Sequence, residues 1–202
     1  MKLLAAGASP YVRKVRLTAK LKGLDDQIEL IAPDNSSMDE YRAKNPLGKI
    51  PILLTENHGA IYDSHVICEY LDAQVALPAL FPGEGAARWQ MLTCAAMADG
   101  MLDAALLLVY EGRYRPEEMR VQSWVEMQEA KINAALAQLE ASPPQWGSHP
   151  DYSHITIAAA LGYLDFRHGG KWRAGHPKMV AWLDKFAAEV PAFAETVPPP
   201  NA

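Results

Sequence analysis

Cysteine is scarce in this chain: two among 202 residues, Cys68 and Cys94, far apart and both inside helical patterns. Each reads as a small buried hydrophobe and not as half of a disulfide, which fits a reducing, cytoplasmic setting. A basic excess is also missing. Lys and Arg number 19 against 24 Asp and Glu, for a net charge of −5, and no basic stripe runs along any segment, which argues against nucleic acid as a partner. The six histidines fall in no metal-ligand spacing. His65 and Cys68 share a helix face, but two ligands do not make a zinc site, and no metal is expected. No apolar run approaches the length of a membrane span, so no membrane association is expected. The opening Met-Lys-Leu-Leu-Ala-Ala-Gly is too short for a signal sequence and is soon followed by Arg13, Lys14 and Arg16, so it reads as a strand. Repeats and low-complexity tracts are absent.

Half of the residues are hydrophobic, enough for one large core or two small ones. Residues 2–6 read as a strand and 7–10 as a turn. A helix follows over 10–22, with Pro10 near its first position and Gly23 as its stop. A second strand spans 27–31, and a polar connection from Pro33 to Pro46 holds a short helix around 40–44. Strands at 50–54 and 60–62 form a hairpin, and a helix from Ser64 to about Ala73 closes this part. After Leu80 the character changes. Phe-Pro-Gly-Glu-Gly (81–85) reads as a linker, and helical periodicity then covers 88–111, 117–141, 154–167 and 177–189 before a Pro-rich tail. The order is β-α-β, a crossing segment, β-β-α, then helices. We therefore expect two domains, an α/β domain over 1–80 and an all-α domain over 87–202, with a linker at 81–86.

Two motifs carry chemistry. In Asn45-Pro-Leu-Gly-Lys-Ile-Pro51, a proline opens an apolar run that otherwise reads as a strand. Proline cannot donate to a ladder, so Pro51 belongs at a strand start, edge or bulge, and it is a natural site for a cis bond. The backbone polar groups freed there can pair with an extended peptide. Asp63-Ser64 opens an apolar-periodic helix, where unpaired N–H groups attract a carboxylate. Strand-like pairing beside anion capture suggests a small peptide acid as ligand.

With these motifs in place, the chain resembles the glutathione S-transferases over nearly its whole length. Besides Asn45–Pro51 and Asp63-Ser64, the likeness rests on Glu69-Tyr-Leu71, on Ser9-Pro-Tyr11 after the first strand, on 98–105 and on Ala160-Leu-Gly-Tyr-Leu-Asp-Phe-Arg167. The resemblance implies a thioredoxin-like N-terminal domain and a helical C-terminal domain. It implies a cis Pro51, an Ile50 backbone paired with the cysteinyl part of glutathione, and Asp63 and Ser64 on the γ-glutamyl end. Lys49 would reach the glycyl carboxylate, and Ser9 takes the place of the thiol-activating residue. A hydrophobic co-substrate pocket drawn from Tyr11, Met101, Leu102, Leu106 and Tyr163 is also implied. Glutathione would be a co-substrate, with no further cofactor, and the partners a small hydrophobic electrophile and a second copy of the chain. Detoxification is the implied role, with peroxide reduction as a side activity.

The Ser9 chemistry is sensible from first principles. A free thiol lies roughly 1–2 units above neutral, and one hydroxyl donor plus a helix N-terminus stabilises its anion. Ser9 then donates a hydrogen bond and is not the nucleophile; no His/Asp partner for a hydrolase stands beside it. Where some relatives have cysteine at this turn, this chain has Ser9, which disfavours dithiol exchange. A second departure is Asp151-Tyr-Ser-His154, where the family has a capping box ending in Asp. His154 is expected to reach back only as a neutral acceptor, at some local cost. Asp99 and Asp103 read as surface acids or, alternatively, as groups near the glutathione amine. Gly100 between them is expected to admit a close backbone neighbour. The competing function is a non-catalytic scaffold or regulator on the same fold.

Overall fold

The structure, a computed structural model, describes residues 1–32 and 38–200. The expected polar connection starting at Pro33 lies in part outside the described residues. The chain forms two compact units, one of residues 1–81 with the segment from Pro191 on, the other Pro82–Val190. The C-terminal segment thus clusters with the α/β unit.

The first unit is built on β1 (Lys2–Leu4), α1 (Pro10–Leu21), β2 (Glu29–Ile31), α2 (Met38–Lys44), β3 (Ile52–Thr55), β4 (Gly59–Ile61) and α3 (Ser64–Gln74). The sheet order is β2-β1-β3-β4. β1 runs parallel to β2 and antiparallel to β3, and β3 pairs antiparallel with β4. Successive strand side chains face opposite sides, yet Leu3 and Leu4 are both buried, so both faces of β1 are covered. α1 and α3 pack together, with α3 on β3. Leu4 and Ile52 form a cluster with Tyr41 of α2, and the Ile50 side chain packs against it. Val12, Val15, Leu17, Ile67 and Leu71 bring α1 and α3 into the core.

A buried ion pair closes this unit. Lys22 Nζ lies 2.7 Å from Asp72 Oδ1 and 2.5 Å from the Pro78 carbonyl oxygen. Asp72 also accepts the amides of Leu80 and Phe81 at 2.9 and 3.1 Å. A cation enclosed in this way stays favourable because a carboxylate and a carbonyl replace its water.

The second unit contains α4 (Gly85–Tyr114), α5 (Gln122–Ala141), α6 (Tyr152–His168) and α7 (Pro177–Glu189). α4 packs along α5 and α6, and α6 is buried over most of its length, as its apolar sequence implies. Glu140 of α5 accepts the amides of Lys178 and Met179 at 3.0 and 2.9 Å, capping α7 from a neighbouring helix. Two expectations change here. By length and composition α4 is apolar enough to cross a membrane. Its polar residues are spaced singly, so the segment passes as a whole although no continuous run does. The space beside Gly100 is open, with nothing within 4 Å of where a Cβ would sit, so no close backbone neighbour explains this glycine.

Candidate functional site

Strand register gathers the sequence motifs at one end of the sheet. Leu4 pairs with Ile52, so the C-terminal end of β1 meets the entry of β3. Leu53 pairs with Ile61, so β4 also leaves at that end. The turn to Ser9 follows β1, Ile50-Pro51 precedes β3, and Asp63-Ser64 follows β4. Three segments far apart in sequence therefore converge, and two of them open helices. Helix N-termini present unpaired N–H groups and a positive dipole end, so the arrangement suits two anionic groups on one ligand.

Ser9 is the N-cap of α1, with extended backbone, and its Oγ accepts the Val12 N–H at 3.3 Å. That bond occupies one lone pair and leaves the hydroxyl proton free to donate. Tyr11, two residues on, is half-buried.

The Ile50–Pro51 bond is cis. β3 begins at Ile52, so the Ile50 backbone stands outside the ladder while its side chain is anchored below. The approach to this point is organised by Asn45, buried to 2% exposure. Its amide donates to the Lys49 carbonyl at 2.8 Å, and its side-chain oxygen accepts the Leu47 N–H at 3.0 Å. Gly48, at φ 61°, makes the left-handed turn between them. Our reading of the sequence missed this role of Asn45; an Asn opening a Pro-x-Gly stretch is the signal that an Asx-type turn would have given. The Lys49 side chain is exposed.

Asp63, not Ser64, is the N-cap of α3: it accepts the amides of His65 at 3.0 Å and Val66 at 3.5 Å. Ser64 is the first helical residue, and its N–H and hydroxyl have no partner among the described residues. Asp63 thus caps the helix, and Ser64 beside it is buried, at 3% exposure.

In the helical unit, Met101, Leu102 and Tyr163 are buried, at 1%, 0% and 4% exposure, which marks them as core residues first. Leu106 keeps part of its surface. Burial raises the Tyr163 phenol pKa, against a hydrogen bond and the charge of Arg167. Asp99 is half-buried and Asp103 exposed. Neither cysteine forms a disulfide among the described residues; burial raises the Cys94 thiol pKa despite a hydrogen bond with Ser153. Among the described residues no cluster of three or more metal-ligating side chains occurs.

The altered cap of α6 closes with His154 in place of an acidic residue. Asp151 Oδ1 accepts the amides of Ser153 and His154 at 2.8 and 3.3 Å and the Ser153 hydroxyl at 2.6 Å. His154 Nδ1 lies 3.2 Å from the Asp151 amide but only 2.6 Å from its carboxylate. Both halves of the capping box are present, with the Asp151 N–H donating to Nδ1 as expected of a neutral imidazole; in the alternative tautomer Nδ1–H donates to the carboxylate instead. Its ring stacks on Trp182 and meets Trp146 edge-on.

Comparison with known proteins fits this geometry. Residues 8–74 match the glutathione S-transferase N-terminal domain, and residues 122–185 match the C-terminal domain. The chain is 33% identical to the uncharacterized GST-like protein YibF of Escherichia coli (strain K12), covering 98% of this chain and 99% of that one. It is 42% identical to a glutathione transferase family member from Pseudomonas fluorescens Pf-5 with bound glutathione, covering 98% of both chains at a TM-score of 0.91. A second structure of that protein holds S-(propanoic acid)-glutathione, at a TM-score of 0.88 and covering 98% of this chain and 100% of that one. A glutathione S-transferase from Methylobacillus flagellatus KT, with glutathione bound, is 31% identical at a TM-score of 0.89, covering 98% and 99%.

Proposed function

The chain belongs to the glutathione S-transferase family, and from that premise we propose that it binds reduced glutathione on its first unit and directs the thiolate at an electrophilic carbon. The observation that carries this reading is the register of β1, β3 and β4, which brings Ser9, Ile50-Pro51 and Asp63-Ser64 to one end of the sheet. In this reading the unpaired Ser64 N–H and hydroxyl hold the γ-glutamyl carboxylate, with Asp63 facing the amino group. The Ile50 backbone pairs with the cysteinyl residue, and Lys49 reaches the glycyl carboxylate as a flexible point charge. The thiol proton leaves to solvent, and the Ser9 hydroxyl donates to the sulfur with the N-terminus of α1 behind it. Lowering the thiol pKa by one to two units requires about 1.4–3 kcal/mol, within the reach of one hydroxyl donor and a helix end.

Tyr11, the co-substrate candidate on α1 that keeps part of its surface, contacts the electrophile. The thioether ligand in the Pseudomonas relative supports attack at carbon. Proteins of this family are generally soluble, which favours reading α4 as an interior helix, and the chain acts in the cytoplasm in detoxification. It assembles as a two-fold homodimer, a reading supported by apolar surface such as Trp89 at 67% exposure on α4.

Transfer kinetics on Ser9→Ala test the mechanism. Turnover is expected to fall roughly 10–100-fold, with glutathione affinity changed less than about threefold. Ser9→Thr keeps both hydroxyl and cap and is expected to retain most of the rate. Parental turnover in Ser9→Ala would remove Ser9 from the mechanism, and failure of the parent to bind glutathione would favour the scaffold reading.

A further inference from the structure

The segment from Pro191 on, which includes α8 (Ala192–Glu195), is fastened to the helix that Ser9 opens. Arg13, Arg16 and Lys20 stand at helical spacing on α1 and all grip it. Arg13 Nη2 donates to the Phe193 carbonyl at 2.8 Å, and its Nε donates to Thr196 Oγ1 at 3.4 Å. Its guanidinium lies 4.0 Å from the centre of the Phe193 ring. Arg16 Nη2 donates to the Glu195 carbonyl at 3.4 Å, and Lys20 Nζ pairs with the Glu195 carboxylate at 2.9 Å. Arg13 and Thr196 are 5% and 1% exposed, so this attachment is part of the core and not a surface brush.

Two further contacts carry the attachment to Ser9. The Arg13 N–H donates to the Ser9 carbonyl at 3.0 Å, the first backbone bond of α1. On the other side of Ser9, Pro199 closes on Gly7. A Cβ built on Gly7 would meet Pro199 Cδ at 2.9 Å and Cγ at 3.1 Å. That contact is closer than side chains tolerate, and it is the nearest obstacle around Gly7. Gly7 has no left-handed φ that would itself demand glycine, so the packing of Pro199 accounts for the missing side chain. The turn that delivers Ser9 is thus held at Gly7 by Pro199 and at Arg13 by Phe193 and Thr196.

We infer that the C-terminal segment positions the Ser9 hydroxyl, with Pro199 and Gly7 as the contact that sets the turn. This rests on the thiolate role proposed for Ser9. A donor displaced by a few tenths of an ångström weakens a hydrogen bond without abolishing ligand binding elsewhere, because the Ile50 and Ser64 contacts lie on other segments. The tail therefore acts on the reactivity of the bound thiol more than on affinity.

Four full-length proteins test this: Gly7→Ala, Pro199→Gly, the double variant, and Ser9→Ala. The readout is the pH midpoint of the thiolate ultraviolet absorbance of bound glutathione, with calorimetric affinity alongside. Hydrogen exchange over residues 7–13 adds a readout that needs no ligand. Gly7→Ala is expected to raise the midpoint by about half a unit or more, a threefold loss of thiolate at neutral pH, with affinity within about twofold and faster exchange over 7–13. Pro199→Gly alone removes the ring that sets the turn and is expected to raise the midpoint, whereas in the double variant the alanine methyl takes up the space the ring leaves and most of the parental midpoint is regained. A purely structural role predicts lower thermal stability with the midpoint unmoved, and that result would overturn the inference, as would a double variant no better than Gly7→Ala. If Ser9→Ala shifts the midpoint and Gly7→Ala does not, only the positioning inference fails. If Ser9→Ala leaves it unmoved, both readings fail.

Discussion

Replacing Asp151 by alanine removes the whole N-terminal fastening of α6, and the structure sets its cost. The carboxylate accepts two amides and a hydroxyl, and the His154 ring nitrogen lies 2.6 Å from it. Loss of an N-cap costs about 1 kcal/mol, and loss of a hydrogen bond to a charged acceptor about 1.5–3 kcal/mol. The Asp151 side chain is 29% exposed, so water replaces part of this. A net loss of about 2–3 kcal/mol remains, or roughly 5–10 °C in Tm for a chain of this size. Asp151→Asn keeps a capping oxygen without the charge and is expected to lose about half as much. Calorimetric or denaturant unfolding reads both. The pH dependence follows in sign. Burial works against the charged carboxylate, but hydrogen bonds from His154 and Ser153 outweigh it and hold the pKa below its ordinary value. A depressed carboxyl pKa gives stability that is complete above the unfolded value of about 3.9 and is lost as pH falls through the lower folded value. The stability difference between parent and Asp151→Ala is therefore expected to shrink only in strong acid. A loss below about 0.5 kcal/mol at neutral pH would refute this account of the α6 cap.

Other tests address separate elements. Gly100→Ala, at an exposed helix position with open space beside it, is expected to stabilise by about 0.5–1 kcal/mol in denaturant unfolding; destabilisation would mean that a partner covers the site. Asp72→Ala strands the fully buried Lys22 ammonium and is expected to cost about 3–5 kcal/mol by the same measurement, while a loss under about 1 kcal/mol would show that the cation escapes to water. Burial depresses the His168 pKa although its Nε2–H donates to the Ala105 carbonyl. Below about pH 6.5 the unfolded chain gains a proton that the folded one refuses, so stability falls with pH there until the folded pKa is passed. His168→Gln is expected to flatten that part of the unfolding profile.

Much of this architecture was legible because local chemistry and tertiary packing agree. Pro177 starts α7 and the helix ends at Glu189, as periodicity implied, and Pro10 likewise opens α1. Disagreements arise where distant groups intervene. The helix expected from Glu117 has only a short turn there and resumes at Gln122. In between, the Arg120 guanidinium turns back onto the Arg115 and Gly112 carbonyls at the end of α4. Helical periodicity cannot register such a side-chain cap. The helix expected from Arg88 starts at Gly85, since three small residues carry no periodic signal. Of the candidate site, Ser9, Pro51 and Asp63-Ser64 could be named from sequence because turn and cap chemistry is local. The grip of Arg13, Arg16 and Lys20 on a tail some 180 residues away could not. Nothing local to α1 marks these side chains as tail contacts until the C-terminal segment is seen against them.

On the function proposed above, the end of the sheet marked by Ser9, Ile50 and Ser64 holds glutathione. Isothermal titration of the full chain with reduced glutathione at neutral pH tests it most directly, with Ser64→Ala as the paired variant. The account predicts saturable binding at a Kd between about 1 μM and 1 mM, weakened roughly tenfold or more in Ser64→Ala, as expected for a lost carboxylate contact. No saturable heat up to several millimolar, together with no rise in Tm at the same concentrations, would contradict it.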